Sequence, residues 1–184
     1  MALEREIKLR FASADDARAA VVAAGATPLR GRRLQEDFLL DTDDEMLRRR
    51  RCVLRVRLEG GNSRLTFKGP VQSSPMKLRE EVETVVGDGE VLLRVFEELG
   101  LHVWFRYHKY REEFAAEDVI VAVDETPVGT FIEIEGGEQG IERMAGQLGF
   151  GASDYIVDSY RGLFLKHRVE AGLTGTDMVF AEVE

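Results

Sequence analysis

The sequence predicts an α+β fold in which eight antiparallel strands close into a barrel with a charged interior and helices packed outside. Short stretches alternate apolar and polar residues with the period of two that marks a β-strand. The polar positions often carry like charges at i and i+2, as in Glu4 and Glu6 or Arg55 and Arg57. Like charges on one strand face repel unless opposite charges lie between them. A closed barrel meets this condition, because acidic and basic strands then surround one space, and eight strands leave room for side chains or one small ligand.

The first strand is predicted over residues 3–9. Its apolar side chains share one face with an arginine: Leu3, Arg5, Ile7 and Leu9. The opposite face carries only charged side chains: Glu4, Glu6 and Lys8. A helix is predicted to follow, because Ser13 is a good N-cap and Gly25 is a good C-terminal stop.

Three more strands are predicted over residues 34–68. Residues 34–40 place Gln35 and Asp37 on one face. The run of four arginines at 48–51 is interpreted as a solvated turn, with a phosphate-binding patch as the less favoured alternative. Residues 53–58 and 64–68 alternate around a glycine-rich turn and are predicted to form a hairpin.

The rest of the chain continues the same pattern. Strands are predicted over 78–85, 104–114, 119–124 and 129–135, and helices over 90–99, 140–148 and 158–169. The alternation of 104–114 is imperfect, so either Arg106 or the pair Lys109 and Arg111 faces inward. We expect one domain over residues 1–170, followed by a tail, 171–184, of uncertain order.

Composition narrows the function classes. The 184 residues fit a single domain with a real core. A formal net charge of -9 argues against a nucleic-acid partner, although it leaves room for a basic pocket inside an acidic shell. Cys52 is the only cysteine, which excludes an intrachain disulfide. With no signal peptide or long apolar span in the sequence, we expect a cytoplasmic protein without a membrane partner, either a monomer or a homodimer.

A charged barrel interior indicates a binding site rather than a scaffold. Buried unpaired charges are costly, and even buried pairs rarely stabilise a protein relative to apolar residues. The bases suit a polyanion of several phosphates, and the acids suit hard divalent cations that bind phosphate in turn. Mg²⁺-assisted phosphoryl or nucleotidyl transfer is the chemistry that this pattern favours. The alternative is an open sheet whose charged face is exposed to solvent.

The charged positions occur in an order that resembles the CYTH family, also called the triphosphate tunnel metalloenzymes. The resemblance begins with Glu4-x-Glu6-x-Lys8 and covers residues 3 to about 165. It continues through Arg55-x-Arg57, Thr66-Phe67-Lys68-Gly69, Arg79-x-Glu81-x-Glu83, Lys109-x-Arg111, Asp124-Glu125, Glu133-x-Glu135 and Ser159-Tyr160. This resemblance implies an eight-stranded antiparallel tunnel that holds a triphosphate.

The resemblance also implies roles for individual residues. The phosphate-binding candidates are Lys8, Arg55, Arg57, Lys68, Arg79, Lys109 and Arg111. The metal-ligand candidates are Glu4, Glu6, Asp124, Glu133 and Glu135, with Glu81 and Glu83 as supporting acids for Mg²⁺ or Mn²⁺. Catalysis is expected to involve Glu4, Glu6, Lys8 and Lys68.

Three functions are compatible with these residues. The favoured one is a divalent-metal-dependent hydrolase of a small triphosphate substrate: inorganic tripolyphosphate, thiamine triphosphate or a nucleoside triphosphate. The alternatives are a class IV adenylate cyclase, which converts ATP to cyclic AMP and pyrophosphate, and a non-catalytic protein that binds polyphosphate or nucleotide. No residue that reads adenine is apparent in the sequence.

Overall fold

Eight β-strands form the centre of the protein in the computed structural model, which describes residues 2–181. The strands are β1 (Ala2–Phe11), β2 (Thr27–Asp41), β3 (Val53–Glu59), β4 (Asn62–Lys68), β5 (Lys77–Val86), β6 (His102–Ala116), β7 (Val119–Thr126) and β8 (Gly129–Gly136). All eight predicted strands are present. The structure extends β2 and β6 to 15 residues each.

The strands form one closed antiparallel barrel in the order β1-β5-β4-β3-β2-β6-β7-β8, and β8 pairs back with β1. The predicted fold class is therefore confirmed. Strand β1 lies between β5 and β8, and its register places Glu4 opposite Arg79, Glu6 opposite Lys77 and Lys8 opposite Glu133. At these three positions an acid thus lies opposite a base, as the charge pattern requires, whereas on the β8 side Glu6 lies opposite Glu135.

Residues 2–181 also contain five α-helices: α1 (Ala14–Ala23), α2 (Met46–Arg49), α3 (Gly89–Glu98), α4 (Glu138–Gln147) and α5 (Tyr160–Ala171). The first three lie between strands, and the last two follow β8. The Ser13 hydroxyl accepts a hydrogen bond from the Asp16 N–H and begins α1, as predicted. Asp88 caps α3 in the same way. None of the helices within residues 2–181 is long and apolar enough to cross a membrane.

The main hydrophobic core lies outside the barrel wall. Ile7 and Leu9 of β1 and Ile134 of β8 are fully buried, together with Val21 of α1 and Ile141 of α4. Because successive strand residues point to opposite faces, this packing turns Glu4, Glu6 and Lys8 toward the barrel interior. The apolar core therefore fixes which charged residues face the cavity.

A second apolar cluster lies where α5 packs against one end of the barrel. Tyr160, Leu163 and Phe164 of α5 pack in the same cluster as Phe105 of β6 and Phe131 of β8. The ring centroids of Phe131 and Tyr160 are 5.7 Å apart in an edge-on arrangement. Helix α5 therefore brings a tyrosine to the charged interior.

The segment after α5 returns to the barrel and pairs with β6. Met178 is fully buried and forms a parallel bridge with Tyr107 of β6. The pairing of β6 with β7 begins only at Tyr110, so Met178 takes the place beside β6 that β7 leaves open. The Arg106 guanidinium donates to Asp177 at 2.8 Å on the outside of the barrel. This contact decides the parity of β6: Arg106 points outward, and Lys109 and Arg111 point inward. Of the predicted tail, residues 182–184 lie outside the described residues.

Candidate active site

The barrel encloses a cavity of about 530 Å³, a volume typical of small-molecule sites. Among the described residues, thirteen lysines and arginines and eight glutamates line it. Asp37 and Asp124 are buried in the wall and pair with some of these bases. The interior therefore keeps a positive excess in a protein whose formal net charge is -9. This imbalance suits an anionic ligand.

Glu4 and Glu6 on β1 are each held by two bases. Glu4 accepts from Lys68 at 2.5 Å and from Arg79 at 2.9 Å, and Glu6 accepts from Lys77 at 2.5 Å and Lys8 at 3.0 Å. Burial and neighbouring carboxylates oppose ionisation of these two groups, but the surrounding bases outweigh them and lower the pKa of both. Both acids are therefore ionised at neutral pH.

Lys8 lies between two carboxylates and has almost no exposed surface. Its Nζ is 3.0 Å from Glu6 and 3.1 Å from Glu133, and 5.1 Å from the centre of the Tyr160 ring. Burial alone would lower the pKa of Lys8, but the two carboxylates raise it above its ordinary value. Lys8 is thus a fixed positive charge at the β1–β8 junction.

Asp124 is fully buried behind the cavity wall. It accepts hydrogen bonds from Arg111 at 2.7 and 2.5 Å, from Lys109 at 3.0 Å and from the Tyr160 hydroxyl at 2.5 Å. Arg111 also reaches Glu133 at 2.6 Å. In this arrangement Asp124 orients the two bases and anchors α5. Its predicted role as a metal ligand stays a prediction.

Arg55 and Arg57 converge on Asp37 of β2, a residue that the sequence did not assign to the site. Arg57 donates to both Asp37 oxygens at 2.8 and 3.1 Å, and Arg55 Nε lies 3.3 Å from the same group. Asp37 is fully buried. Its inward direction was visible in the alternation of β2, but a single aspartate shows no like-charge pair.

Lys77 is a second residue that the sequence prediction missed. It is the first residue of β5, shares the parity of Arg79 and lies with Nζ 2.5 Å from Glu6. The predicted strand began one residue later, which left Lys77 in a loop. Burial lowers the pKa of Lys77 to about 8, and repulsion from Lys8 and Arg79 acts in the same direction against the attraction of Glu6.

Glu81 and Glu83 continue β5 toward one rim of the barrel. Glu81 lies 2.7 Å from Lys68, and Glu83 accepts from Arg64 at 2.5 Å and from Thr66 at 2.9 Å. Arg55 lies farther away, at 3.8 Å from Glu83. The predicted supporting acids are thus near the predicted phosphate-binding bases, and Arg64 joins them.

Glu135 differs from every other predicted acid, because no ion pair or hydrogen bond holds its carboxylate among residues 2–181. Its side chain reaches the water of the tunnel yet is surrounded by protein at longer range. This desolvation, together with repulsion from Glu133, Glu4 and Glu6, raises the pKa of Glu135 to about 7. A cation at this carboxylate would be stabilised by the negative charges of Glu133, Glu4 and Glu6.

Within residues 2–181, no three acidic, histidine or cysteine side chains already converge as a metal cage. The donor set nevertheless fits a hard divalent cation, because Glu135 is unpaired beside Glu4 and Glu6 and all three offer carboxylate oxygens. A cation there would take over part of the neutralisation that lysines and Arg79 now provide.

The opposite rim of the cavity is formed by the ends of β2, β3 and β6 and by α5. Arg48, Arg51, Trp104 and Arg161 line it, together with Ser159 at the start of α5. The run at 48–51 was predicted to be a solvated turn, and Arg49, Arg50 and Arg51 are indeed exposed, although Arg48 and Arg49 belong to α2. Arg48 and Arg51 also line the cavity.

Comparison with known protein families matches residues 2–146 to the CYTH domain, which covers most of the chain. The chain belongs to the CYTH family. The predicted resemblance is therefore confirmed. A protein of Methanocaldococcus jannaschii named "putative adenylate cyclase" is 33% identical over 105 residues, which are 56% of this chain and 60% of that relative's length.

Solved structures show the same fold along the whole barrel. The PH1819 protein of Pyrococcus horikoshii OT3 is 25% identical, with a TM-score of 0.75 over 90% of this chain and 99% of that chain. A protein from Hippeastrum, named as a "putative adenylyl cyclase" with a dominant triphosphatase activity, is 18% identical, with a TM-score of 0.65 over 95% of this chain and 97% of that chain. This second likeness concerns the fold alone.

Proposed function

We propose that this CYTH protein is a divalent-metal-dependent hydrolase that binds the triphosphate group of a small substrate inside the barrel. The observation that carries this proposal is the division of the interior: bases that can grip phosphates surround a carboxylate, Glu135, that has no cation. Inorganic tripolyphosphate, thiamine triphosphate and nucleoside triphosphates all present the required group.

Phosphate binding falls to the bases that the acids hold in place. Arg55 and Arg57 offer planar guanidinium groups that match phosphate oxygens in pairs. Asp37 fixes their orientation without blocking all of their donors. Asp124 does the same for Lys109 and Arg111. Because these side chains are already ordered, binding costs little conformational entropy.

Glu4, Glu6 and Glu135 are the residues that would hold Mg²⁺ or Mn²⁺. A bound divalent cation supplies Lewis-acid stabilisation of charge on the phosphoryl oxygens. Lys8 and Lys68, each held by two carboxylates, place fixed positive charges in the same space and support that stabilisation.

In the reaction, a water oxygen bonds to the terminal phosphorus and the bridging P–O bond breaks, with its electron pair going to the diphosphate part of the substrate, which is the leaving group. The products are orthophosphate, the diphosphate and one proton. The chain contributes mainly position and electrostatics, as phosphoryl transfer requires. Tyr160 and the aromatic cluster around it cover one side of the charged interior and limit the access of bulk water there.

Adenylate cyclase is the second candidate, and the name of the Methanocaldococcus jannaschii relative favours it. In that reaction the ribose 3'-hydroxyl of ATP attacks the α-phosphorus and pyrophosphate leaves. The Hippeastrum protein carries a cyclase name together with a dominant triphosphatase activity, so a name alone does not decide between the two. Hydrolysis requires only the groups described above.

The test is to incubate purified protein with Mg²⁺ or Mn²⁺ and, in separate reactions, tripolyphosphate, thiamine triphosphate or ATP. We expect orthophosphate release that stops in chelator. Lys68→Gln should lose this turnover, whereas Lys166→Gln, an exposed residue of α5, should keep it. Cyclic AMP with pyrophosphate would establish the cyclase, and tight binding without turnover would overturn the enzyme proposal.

A further inference from the structure

One rim of the cavity, which we call the arginine mouth, carries Arg48, Arg51 and Arg161 around Trp104. All four residues line the cavity. Arg48 pairs with Asp41 and Glu45 outside the cavity lining. In the tunnel, each predicted phosphate-binding base lies within 4.0 Å of a carboxylate, as Lys68 does with Glu4. Within residues 2–181, Arg51 and Arg161 have no carboxylate at that distance. The mouth therefore has more free capacity for anions than the tunnel.

The Trp104 ring holds two of the arginines in place. The guanidinium carbons of Arg48 and Arg161 lie 4.4 and 4.7 Å from the centre of the Trp104 ring. Asp41 fixes Arg48 further at 3.0 Å. Since the indole already contacts two guanidinium groups, the groups left for a ligand are N–H donors. Those donors suit an anion better than an uncharged aromatic base.

The backbone places Arg51 and the positive end of α5 at the mouth. Arg51 has a φ of 57°, a left-handed conformation that is uncommon for arginine, just before β3 enters the barrel. Helix α5 begins at Tyr160 with Ser159 as its cap, so its positive end faces the same rim. Burial lowers the pKa of Arg161, and repulsion from Arg48 and Arg168 adds to this effect. An anion would relieve that repulsion.

The mouth is continuous with the tunnel along β3. Arg51 and Val53 lie at the mouth, Arg55 and Arg57 follow inside, and Glu59 lies at the opposite rim. A chain of phosphates that fills the tunnel can therefore extend to the mouth without leaving basic surroundings.

We propose that the arginine mouth is an anion-binding subsite that takes a phosphate beyond the three held in the tunnel. The inference deepens the proposed function, because it assigns a preference for substrates with four or more linked phosphates to residues outside the phosphate-binding set named above.

The test compares tripolyphosphate with tetrapolyphosphate, both inorganic, by calorimetry in chelator and by turnover with Mg²⁺. The parent should bind tetrapolyphosphate more tightly. The double variant Arg51→Gln/Arg161→Gln should weaken tetrapolyphosphate binding by about fivefold more than tripolyphosphate binding. The difference should shrink as salt rises, because the mouth is open to solvent. Arg50→Gln, an exposed neighbour in the same run, should leave both affinities unchanged.

Equal losses for both ligands, or no preference in the parent, would overturn the subsite. ATP binding that exceeds tripolyphosphate binding, with the excess lost in the double variant, would assign the mouth to a nucleoside and also overturn it. Thermal melts of each variant exclude unfolding as the cause. The chelator measurement needs no turnover, so the subsite can stand if hydrolysis fails, and hydrolysis of tripolyphosphate can stand if the subsite fails.

Discussion

Glu6 of β1 and Glu135 of β8 are register partners across the barrel wall, yet only Glu6 is neutralised by lysines. Glu6 is buried with Lys8 and Lys77 against its carboxylate, whereas Glu135 faces the tunnel without a base. The β1–β8 junction therefore carries one acid whose charge is compensated and one whose charge is not. This asymmetry gives the two acids opposite roles in stability.

Glu135→Gln should change turnover and stability in different directions. Loss of a carboxylate oxygen should abolish metal-dependent hydrolysis, because a predicted ligand is gone. In chelator, the variant should melt at or above the temperature of the parent, since a repulsive charge is removed while the shape is kept. Thermal melts in chelator beside turnover assays measure both effects.

Glu133→Gln is the matched comparison on the same strand and face. It removes one of the two buried carboxylates that hold Lys8 and one of the two that hold Arg111. Two charged contacts of about 1.5–3 kcal/mol each are therefore weakened, so the free energy of unfolding should fall by about 3–5 kcal/mol. A Glu135 variant that melts as far below the parent as the Glu133 variant would show that Glu135 is a structural ion-pair partner instead.

Titration of Glu135 should make the stability of the protein in chelator depend on pH. The pKa of Glu135 in the folded protein is about 7, against an ordinary value of 4.5. Between these values the folded state holds a proton that the unfolded state has lost, so this group stabilises the fold at low pH and its contribution falls as pH rises toward 7. The free energy of unfolding, measured by denaturant from pH 4 to 8, should decline more steeply in the parent than in Glu135→Gln. Parallel profiles would mean that Glu135 titrates near its ordinary pKa.

Arg57→Ala should weaken triphosphate binding by about 1.5–3 kcal/mol, the typical contribution of charged hydrogen bonds. Calorimetry with tripolyphosphate measures the change. Arg32→Ala is the control, because Arg32 makes a similar two-bond contact with Glu125 on the outside of the barrel. Unchanged affinity in both Arg55→Ala and Arg57→Ala would remove these arginines from the binding site.

Competition experiments test whether the tunnel grips phosphates alone. Tripolyphosphate in excess should displace a nucleoside triphosphate from the protein, whereas adenosine at the same concentration should not. The reason is that many lysine and arginine side chains line the cavity, whereas no residue that would recognise adenine is apparent among residues 2–181. Displacement by adenosine would instead indicate a base pocket and favour the cyclase.

Regular alternation made most of the barrel and most of the candidate site predictable. The pairs on β1, β3 and β8 follow directly from the period of two. Lys77 was missed because it is the first residue of its strand, and Asp37 because it has no like-charged neighbour two residues away. Lys77 lies on the inward face of β5, and a strand predicted to begin one residue earlier would have included it. Asp37 lies on the inward face of β2, where the alternation of the strand already placed it.

Ion pairing was less predictable than direction. Glu4 binds Lys68 and Arg79, which are 64 and 75 residues away in sequence, and these contacts depend on how the barrel closes. The position of Tyr160 depends on the packing of α5, for which strand periodicity carries no signal. Glu135 has no base against its carboxylate for the same reason: closure of the barrel pairs β8 with β1 in a register that places Glu135 opposite Glu6.

The hydroxyl of Tyr160 gives a last prediction about how α5 is fastened to the barrel. It donates to Asp124 at 2.5 Å, and both residues are buried. Tyr160→Phe should lower the free energy of unfolding by about 1–2 kcal/mol, because a hydrogen bond to a charged acceptor is lost while the ring keeps its contacts with Tyr107 and Phe131. Lys109 and Arg111 still hold Asp124, which limits the loss. Denaturant unfolding measures it, with Tyr155→Phe as the control, since the Tyr155 hydroxyl has no hydrogen bond within residues 2–181. An unchanged free energy would show that the aromatic packing alone fastens α5, and a loss as large as that of Glu133→Gln would show that Asp124 depends on the hydroxyl for its charge.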